Sequence, residues 1–152
     1  MTMLVRTVLP GDYGGWRPLW DGYLAFYEAS LDEMQTALTW ERLLDGGFNL
    51  HGLVAERGGR LLGFAHYLFH PSSWADRGYA YLEDLYVDPA ARGGGAGRRL
   101  IEAACDAARA QGAGKLYWLT KETNYAGRML YDRVAQRTGF IHYAIGLSSD
   151  RP

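Results

Sequence analysis

The strongest chemical signal in the sequence is the run Arg92-Gly93-Gly94-Gly95-Ala96-Gly97, which lies between an apolar strand-like segment and a helical one. Glycine admits positive φ and lets backbone come close to a ligand. Backbone N–H groups at a helix start favour phosphate. The run therefore reads as an anion cradle, with Arg98 adding charge. The rival reading is a plain strand-to-helix connection. Two common nucleotide loops do not fit. A Walker loop needs Lys and then Ser or Thr after its last glycine, and here Arg98 and Arg99 follow Gly97. The dinucleotide fingerprint needs glycine at its first, third and sixth places. Counting from Gly93 the sixth is Arg98, and counting from Gly95 it is Leu100.

Carboxylates stand just ahead of this turn, at Glu83 and Asp84. Strand alternation places Glu83 on a face with Tyr81 and Leu85 and Asp84 on the opposite face, unless a bulge changes the register. Farther on, Asn124, Arg128 and Tyr131 fall at i, i+4 and i+7, so a helix there would carry them on one face. Asn124 also suits a helix cap. The histidines form no metal pattern: His66 and His70 share a strand face, and His51 and His142 are isolated. Cys105 lies in an Ala-rich helical stretch and reads as a small buried hydrophobe, so no metal is expected.

These groups must be positioned by a mixed sheet. Residues 3–9 read as a strand, and 13–29 as a helix with Trp16, Leu19, Trp20, Tyr23, Leu24 and Tyr27 at helical spacing. Residues 34–44 read as a second helix stopped by Gly46-Gly47. Segments 50–56 and 61–69 flank a Gly58-Gly59 turn and predict a hairpin, and 79–87 predicts another strand. Then come a helix over 96–110, a strand over 115–120, a helix over 124–136 and a last strand in FIHYAIGL, residues 140–147. The order predicts one α/β domain over 1–152, its sheet covered by helices.

Composition bounds the partners. Hydrophobic residues make up 48% of the 152 and charged residues 22%, values of an ordinary globular domain. Lys and Arg total 16 against 17 acids, which leaves no basic footprint for nucleic acid. No apolar run approaches the roughly 20 residues of a membrane span. One cysteine and no signal-peptide core point to a cytoplasmic location. Residues 1–76 hold 5 basic and 9 acidic residues, and 77–152 hold 11 and 8, so the basic second half suits an anionic cofactor and the acidic first half a cationic substrate.

The run Leu85-Tyr86-Val87-Asp88-Pro89-Ala90-Ala91-Arg92-Gly93-Gly94-Gly95-Ala96-Gly97-Arg98-Arg99-Leu100 resembles the acetyl-CoA motif of the GNAT superfamily of N-acetyltransferases. Tyr117 to Asn124, with Leu130-Tyr131-Asp132, resembles the polyamine and histone acetyltransferase branch. The resemblance implies a twisted, mostly antiparallel sheet with a splay between two central strands, where the coenzyme enters. It implies that the backbone of Leu85, Tyr86 and Val87 pairs with the pantetheine arm and that residues 92–98 meet its phosphates. Asn124 would bond a pantetheine amide, Arg128 a phosphate, and Tyr131 would protonate the leaving thiolate. Glu83, in the family's Y-L-E-D position, would take the amine proton, with Asp84 as the other carboxylate at the site. Glu28, Asp32 and Glu33 lie in a loop region that shapes acceptor choice in this fold, and with Glu83 and Asp84 they suit a cationic amine. A small diamine or polyamine-like acceptor follows, with a protein lysine, an N-terminal amine or a non-catalytic acyl-CoA sensor as rivals. The family likeness also implies a possible homodimer.

Overall fold

The computed structural model describes residues 1–148, which fall into two compact units, Met1–Leu119 and a second that begins at Thr120. In the first, strands β1 (Leu4–Thr7), β2 (His51–Arg57), β3 (Arg60–Ser72), β4 (Ala75–Val87) and β5 (Leu116–Tyr117) form one sheet in that order. The first three pairings are antiparallel and β4 pairs β5 in parallel. Helices α1 (Tyr13–Phe26) and α2 (Glu33–Asp45) precede β2, and α3 (Ala96–Ala110) connects β4 to β5.

The helical spacing read in the sequence becomes the core. Trp16, Leu19, Trp20, Tyr23 and Leu24 of α1 are buried with Leu43 of α2 against Val54 and Phe64, which pair with each other across β2 and β3. Alternate strand residues Leu53, Ala55, Ala65 and Leu82 are buried outside this cluster, on the other face, which α3 covers with Leu100, Ile101, Ala104 and Ala108. Gly22 lets α1 approach closely: a Cβ there would stand 2.6 Å from the Tyr86 hydroxyl.

Three expectations change. β4 begins at Ala75, because a tight turn at Ser73-Trp74 joins it directly to β3; Ser72 Oγ accepts the Trp74 N–H at 3.0 Å. β5 is only two residues long, and it pairs β4 at Ala80 and Tyr81 alone, so it leaves the β4 edge from Leu82 to Val87 without pairing from β5. This is the splay, but β5 is the sheet's edge strand rather than a central one. Residues 140–147 form no strand; Phe140, Ile141, Tyr143, Ile145 and Leu147 are exposed. The second unit contains α4 (Tyr125–Val134).

An ion-paired corner anchors the start of the first unit. Asp12 accepts from Arg6 at 2.7 and 2.9 Å and from the Leu9 N–H at 2.7 Å. The Arg6 bonds hold its carboxyl below the usual range, with the Leu9 N–H adding to the effect against partial burial. A depressed folded pKa stabilises above the unfolded value, about 3.9, and the stabilisation is lost as pH falls through the folded one. Asp12→Asn should therefore lower the unfolding midpoint at neutral pH, and the gap to the wild type should close in acid. Melting curves across pH check this; a gap that persists unchanged in acid would show that the Asp12 charge is not its source.

Candidate active site

β4 carries Leu82 and Asp84 to opposite faces of the sheet, which a regular strand cannot do with residues two apart. Asp84 pairs with His66 and Leu82 with Tyr67, so two residues of β3 oppose three of β4 and the register steps over Glu83. Glu83 is the extra residue of a β-bulge. The expectation that Glu83 shares a face with Tyr81 and Leu85 is corrected. Tyr81, opposite Leu68, lies on the α1 face with Asp84, and Leu85, opposite Ala65, lies with Leu82 on the α3 face.

Glu83 is exposed and sits among phenols. Burial, then the negative field of Glu83, pushes Tyr81 up to about 12, and the same two causes raise Tyr117. Tyr23 is raised further by burial and then by Asp84. These phenols stay protonated at neutral pH. The Tyr81 and Tyr117 rings lie 4.9 Å apart, and the Tyr117 hydroxyl donates to His70 Nε2 at 2.7 Å, because His70 Nδ1 is spent on the Pro71 carbonyl at 2.7 Å.

Asp84 is not open in the same way. Tyr23 donates to its Oδ1 at 2.5 Å, and His66 Nδ1 lies 2.9 Å from its Oδ2. Trp16 Nε1 donates to His66 Nε2 at 3.1 Å. Neither His66 nor Trp16 nor Tyr23 was marked by the sequence as part of a site. Trp16 and Tyr23 read as core by spacing, and His66 gains meaning only from its pairing with Asp84. Of the loop carboxylates, Asp32 caps α2 by accepting the Gln35 N–H at 2.8 Å, and Glu33 is ion-paired with Arg17. Glu28 is exposed, with φ of 53°.

The glycine turn fits a phosphate. Gly93 and Gly95 have φ of 86° and 89°, and a Cβ on either would meet nothing within 4 Å. Backbone conformation, not packing, demands glycine there. Gly95 is the N-cap of α3 and has no side chain to cap it; the first helical bond runs from Arg99 N to Gly95 O at 3.0 Å. The N–H groups of Ala96, Gly97 and Arg98 precede that bond, the arrangement that attracts anions. Arg98 is exposed, and Arg92 ties the turn to β4 by donating from Nε to the Val87 carbonyl at 3.2 Å. Just before the turn, Leu85, Tyr86 and Val87 lie on the β4 edge that β5 leaves uncovered.

Gly95→Ala should cost about 1–2 kcal/mol of backbone strain and bring a methyl to the turn. CoA affinity, read by calorimetry, should fall by roughly tenfold, equal to about 1.4 kcal/mol. Wild-type affinity in a folded variant would remove the turn from the site.

The second unit holds the other expected residues. Asn124 caps α4, accepting the Gly127 N–H at 3.3 Å and donating to Thr120 Oγ1 at 2.9 Å. Its amide is thus already engaged, and a ligand would use its remaining hydrogen-bonding capacity. Arg128 donates to the Glu122 carbonyl at 2.7 Å. Tyr131 is half-buried on the same helix.

Known proteins resemble this chain in sequence and in fold. The chain is 34% identical over 143 residues to a D-amino-acid N-acetyltransferase of Saccharomyces cerevisiae, covering 93% of this chain and 89% of the yeast protein. It is 30% identical over 149 residues to a thialysine N-epsilon-acetyltransferase of Sus scrofa, covering 90% and 85%. The fold matches an aminoglycoside N-acetyltransferase solved with CoA, with a TM-score of 0.83 at 18% identity over 97% of this chain and 96% of that one. A family model described as Acetyltransferase (GNAT) family matches residues 16–135, which takes in the core of α1, the bulge, the glycine turn and α4. With that match, and the relatives aligned along nearly the whole chain, this protein belongs to the GNAT family and is an acetyltransferase.

Proposed function

We propose that this enzyme moves the acetyl group of acetyl-CoA onto a small primary amine by direct attack in a ternary complex, in one transferase domain spanning 1–152. The carrying observation is the bulge that extrudes Glu83 from β4, twelve residues before the uncapped helix start at Gly95, which suits phosphate. The coenzyme supplies an activated thioester. The N–H groups of residues 96–98, with Gly93, Gly94, Gly95, Arg92 and Arg98 around them, hold its phosphates. The uncovered backbone of Leu85, Tyr86 and Val87 aligns the pantetheine arm as an added strand, and a backbone N–H near Leu85 faces the oxygen where charge develops. Asn124 and Arg128 assist that binding.

An alkyl ammonium with pKa of about 10.4 is almost wholly charged at neutral pH and cannot attack. Glu83 takes its proton, directly or through water, and Tyr131 returns one to the thiolate. A cation suits a carboxylate ringed by aromatic faces, and Tyr81 and Tyr117 supply them. Glu83 is the principal acceptor anchor. Glu28 serves from the loop. Asp32 and Glu33 contribute long-range charge while keeping their cap and ion pair, and Asp84 contributes its fixed charge. The yeast and pig relatives, whose names specify small amine-bearing acceptors, support this class.

The test is thiol release from acetyl-CoA across diamines, polyamines, D-amino acids, lysine analogues and aminoglycosides, with lysine and N-terminal peptides alongside. Turnover is expected with a small amine. Turnover with peptides alone would replace the acceptor class, and binding of CoA without any turnover would make the chain a sensor. A homodimer and a cytoplasmic location complete the proposal. The exposed apolar residues between Phe140 and Leu147 support self-association, which sedimentation checks.

A further inference from the structure

We propose that His66 is a positioning residue: fixed in one tautomer by Trp16, it holds Asp84 and thereby the bulge that presents Glu83. The proposal rests on the reading of Glu83 as proton acceptor. It assigns Asp84 to architecture rather than to proton transfer.

The protonation pattern follows from donor chemistry. An indole N–H only donates. Trp16 Nε1 lies 3.1 Å from His66 Nε2, so Nε2 offers a lone pair. The ring is then neutral with its proton on Nδ1, 2.9 Å from Asp84 Oδ2. Tyr23 meets the other oxygen at 2.5 Å. Donation runs from Trp16 to His66 to Asp84, and from Tyr23 to Asp84. Both carboxylate oxygens are acceptors in bonds to buried groups: His66 and Trp16 are fully buried and Tyr23 nearly so. A carboxylate held in this way is a poor candidate to exchange protons with a substrate.

The geometry ties this network to the bulge. Leu82 is 2% exposed on the α3 side. Asp84 is fastened on the α1 side. Those two anchors have incompatible parity in a regular strand, so one residue between them must be extruded, and that residue is Glu83. If Asp84 is released, only the Leu82 anchor is left, the strand no longer requires an extruded residue, and Glu83 loses its fixed presentation. The turn at residues 92–98 has ties of its own, the Arg92 bond to the Val87 carbonyl and the α3 start at Gly95.

His66→Phe keeps a flat ring and removes both nitrogens. His66→Gln keeps one acceptor and one donor. His66→Phe should lower kcat on the order of 10- to 100-fold, the scale of a misplaced catalytic group. Its CoA affinity by calorimetry should stay near the wild-type value, and His66→Gln should recover most of the turnover. Because His66 acts through Glu83, adding His66→Phe to Glu83→Gln should cost little more than Glu83→Gln alone. Long-range 1H–15N spectra of the wild-type protein should show the His66 proton on Nδ1 and none on Nε2, a readout that needs neither turnover nor a variant that folds. A proton on Nε2, or a full additional loss in the double variant, would overturn the positioning role while leaving Glu83 in place. Full activity of Glu83→Gln alone would instead overturn the reading of Glu83, and this role with it.

Discussion

Replacing Glu83 by Gln should lower the acetylation rate by roughly 10²–10⁴, the usual contribution of a positioned general base. The substitution keeps size and hydrogen-bonding capacity and removes only the charge. The loss should shrink as pH rises, because more of the amine then arrives neutral. The surroundings make that profile readable. Tyr81 is pushed up to about 12, and Tyr117 and Tyr23 are raised as well, so these phenols keep their protons in the assay range. A pH-dependent recovery therefore reports the amine and its acceptor. If Glu83 only anchors the ammonium, the variant would show a higher KM with kcat preserved, and the effect would weaken with salt because Glu83 is exposed. Asp84→Asn belongs beside it. Asp84 sits between Tyr23 and His66, so its variant should lose turnover without the recovery at high pH. Full activity of Glu83→Gln across about pH 6–9, a range in which alkyl amines are mostly charged, would defeat both the base and the anchor.

Much of the fold was legible because local signals agreed with one another. The helix predicted at 96–110 is α3 to the residue: Gly95 at φ of 89° starts it, and Gly112 at φ of 78° follows its end. The core face of α1 followed from its spacing. What was not legible depends on pairing across the sheet. Residues 70–78 fell outside the predicted strands 61–69 and 79–87, but a register shift between His70 and Ser72 takes in Pro71, and β4 runs on through Gly78 at φ of 73°. The alternating residues of 140–147 imitate a strand, yet alternation supplies no partner edge. In the candidate site, the glycine turn stood out by type and spacing, and Glu83 by its place before that turn together with the family resemblance. The face of Glu83 could not, because one extruded residue inverts the parity of everything beyond it. His66 was invisible for the same reason: nothing in its own neighbourhood shows that Asp84 stands across from it. Asn124 showed the opposite difficulty, since one side chain serves both a cap and a ligand reading, and the cap is formed.

Tyr131→Phe tests the other end of the reaction. The departing thiolate must gain a proton, and a phenol with pKa of about 10 can give one while remaining protonated at neutral pH. Tyr131 lies on α4, two turns beyond the Asn124 cap, at i+7, so a ligand amide at the cap and a sulfur near the phenol would lie along one helix face. The substitution keeps the ring and removes the proton. The α4 backbone loses nothing, since the bond from Ala135 N to the Tyr131 carbonyl does not involve the side chain. Asn124→Ala is a poorer probe, because loss of a cap costs about 1 kcal/mol of helix stability before any ligand is considered. Single-turnover rates in Tyr131→Phe should fall on the order of 10²-fold or more, with CoA affinity nearly unchanged and the loss appearing in kcat and kcat/KM together. The defect should narrow with thioesters whose leaving thiol has a lower pKa, since such a thiolate departs without needing a proton. An unchanged single-turnover rate, with the chemical step shown to limit it, would reduce Tyr131 to packing. A fall that is the same for every leaving thiol would mean that the phenol orients the coenzyme rather than protonating it.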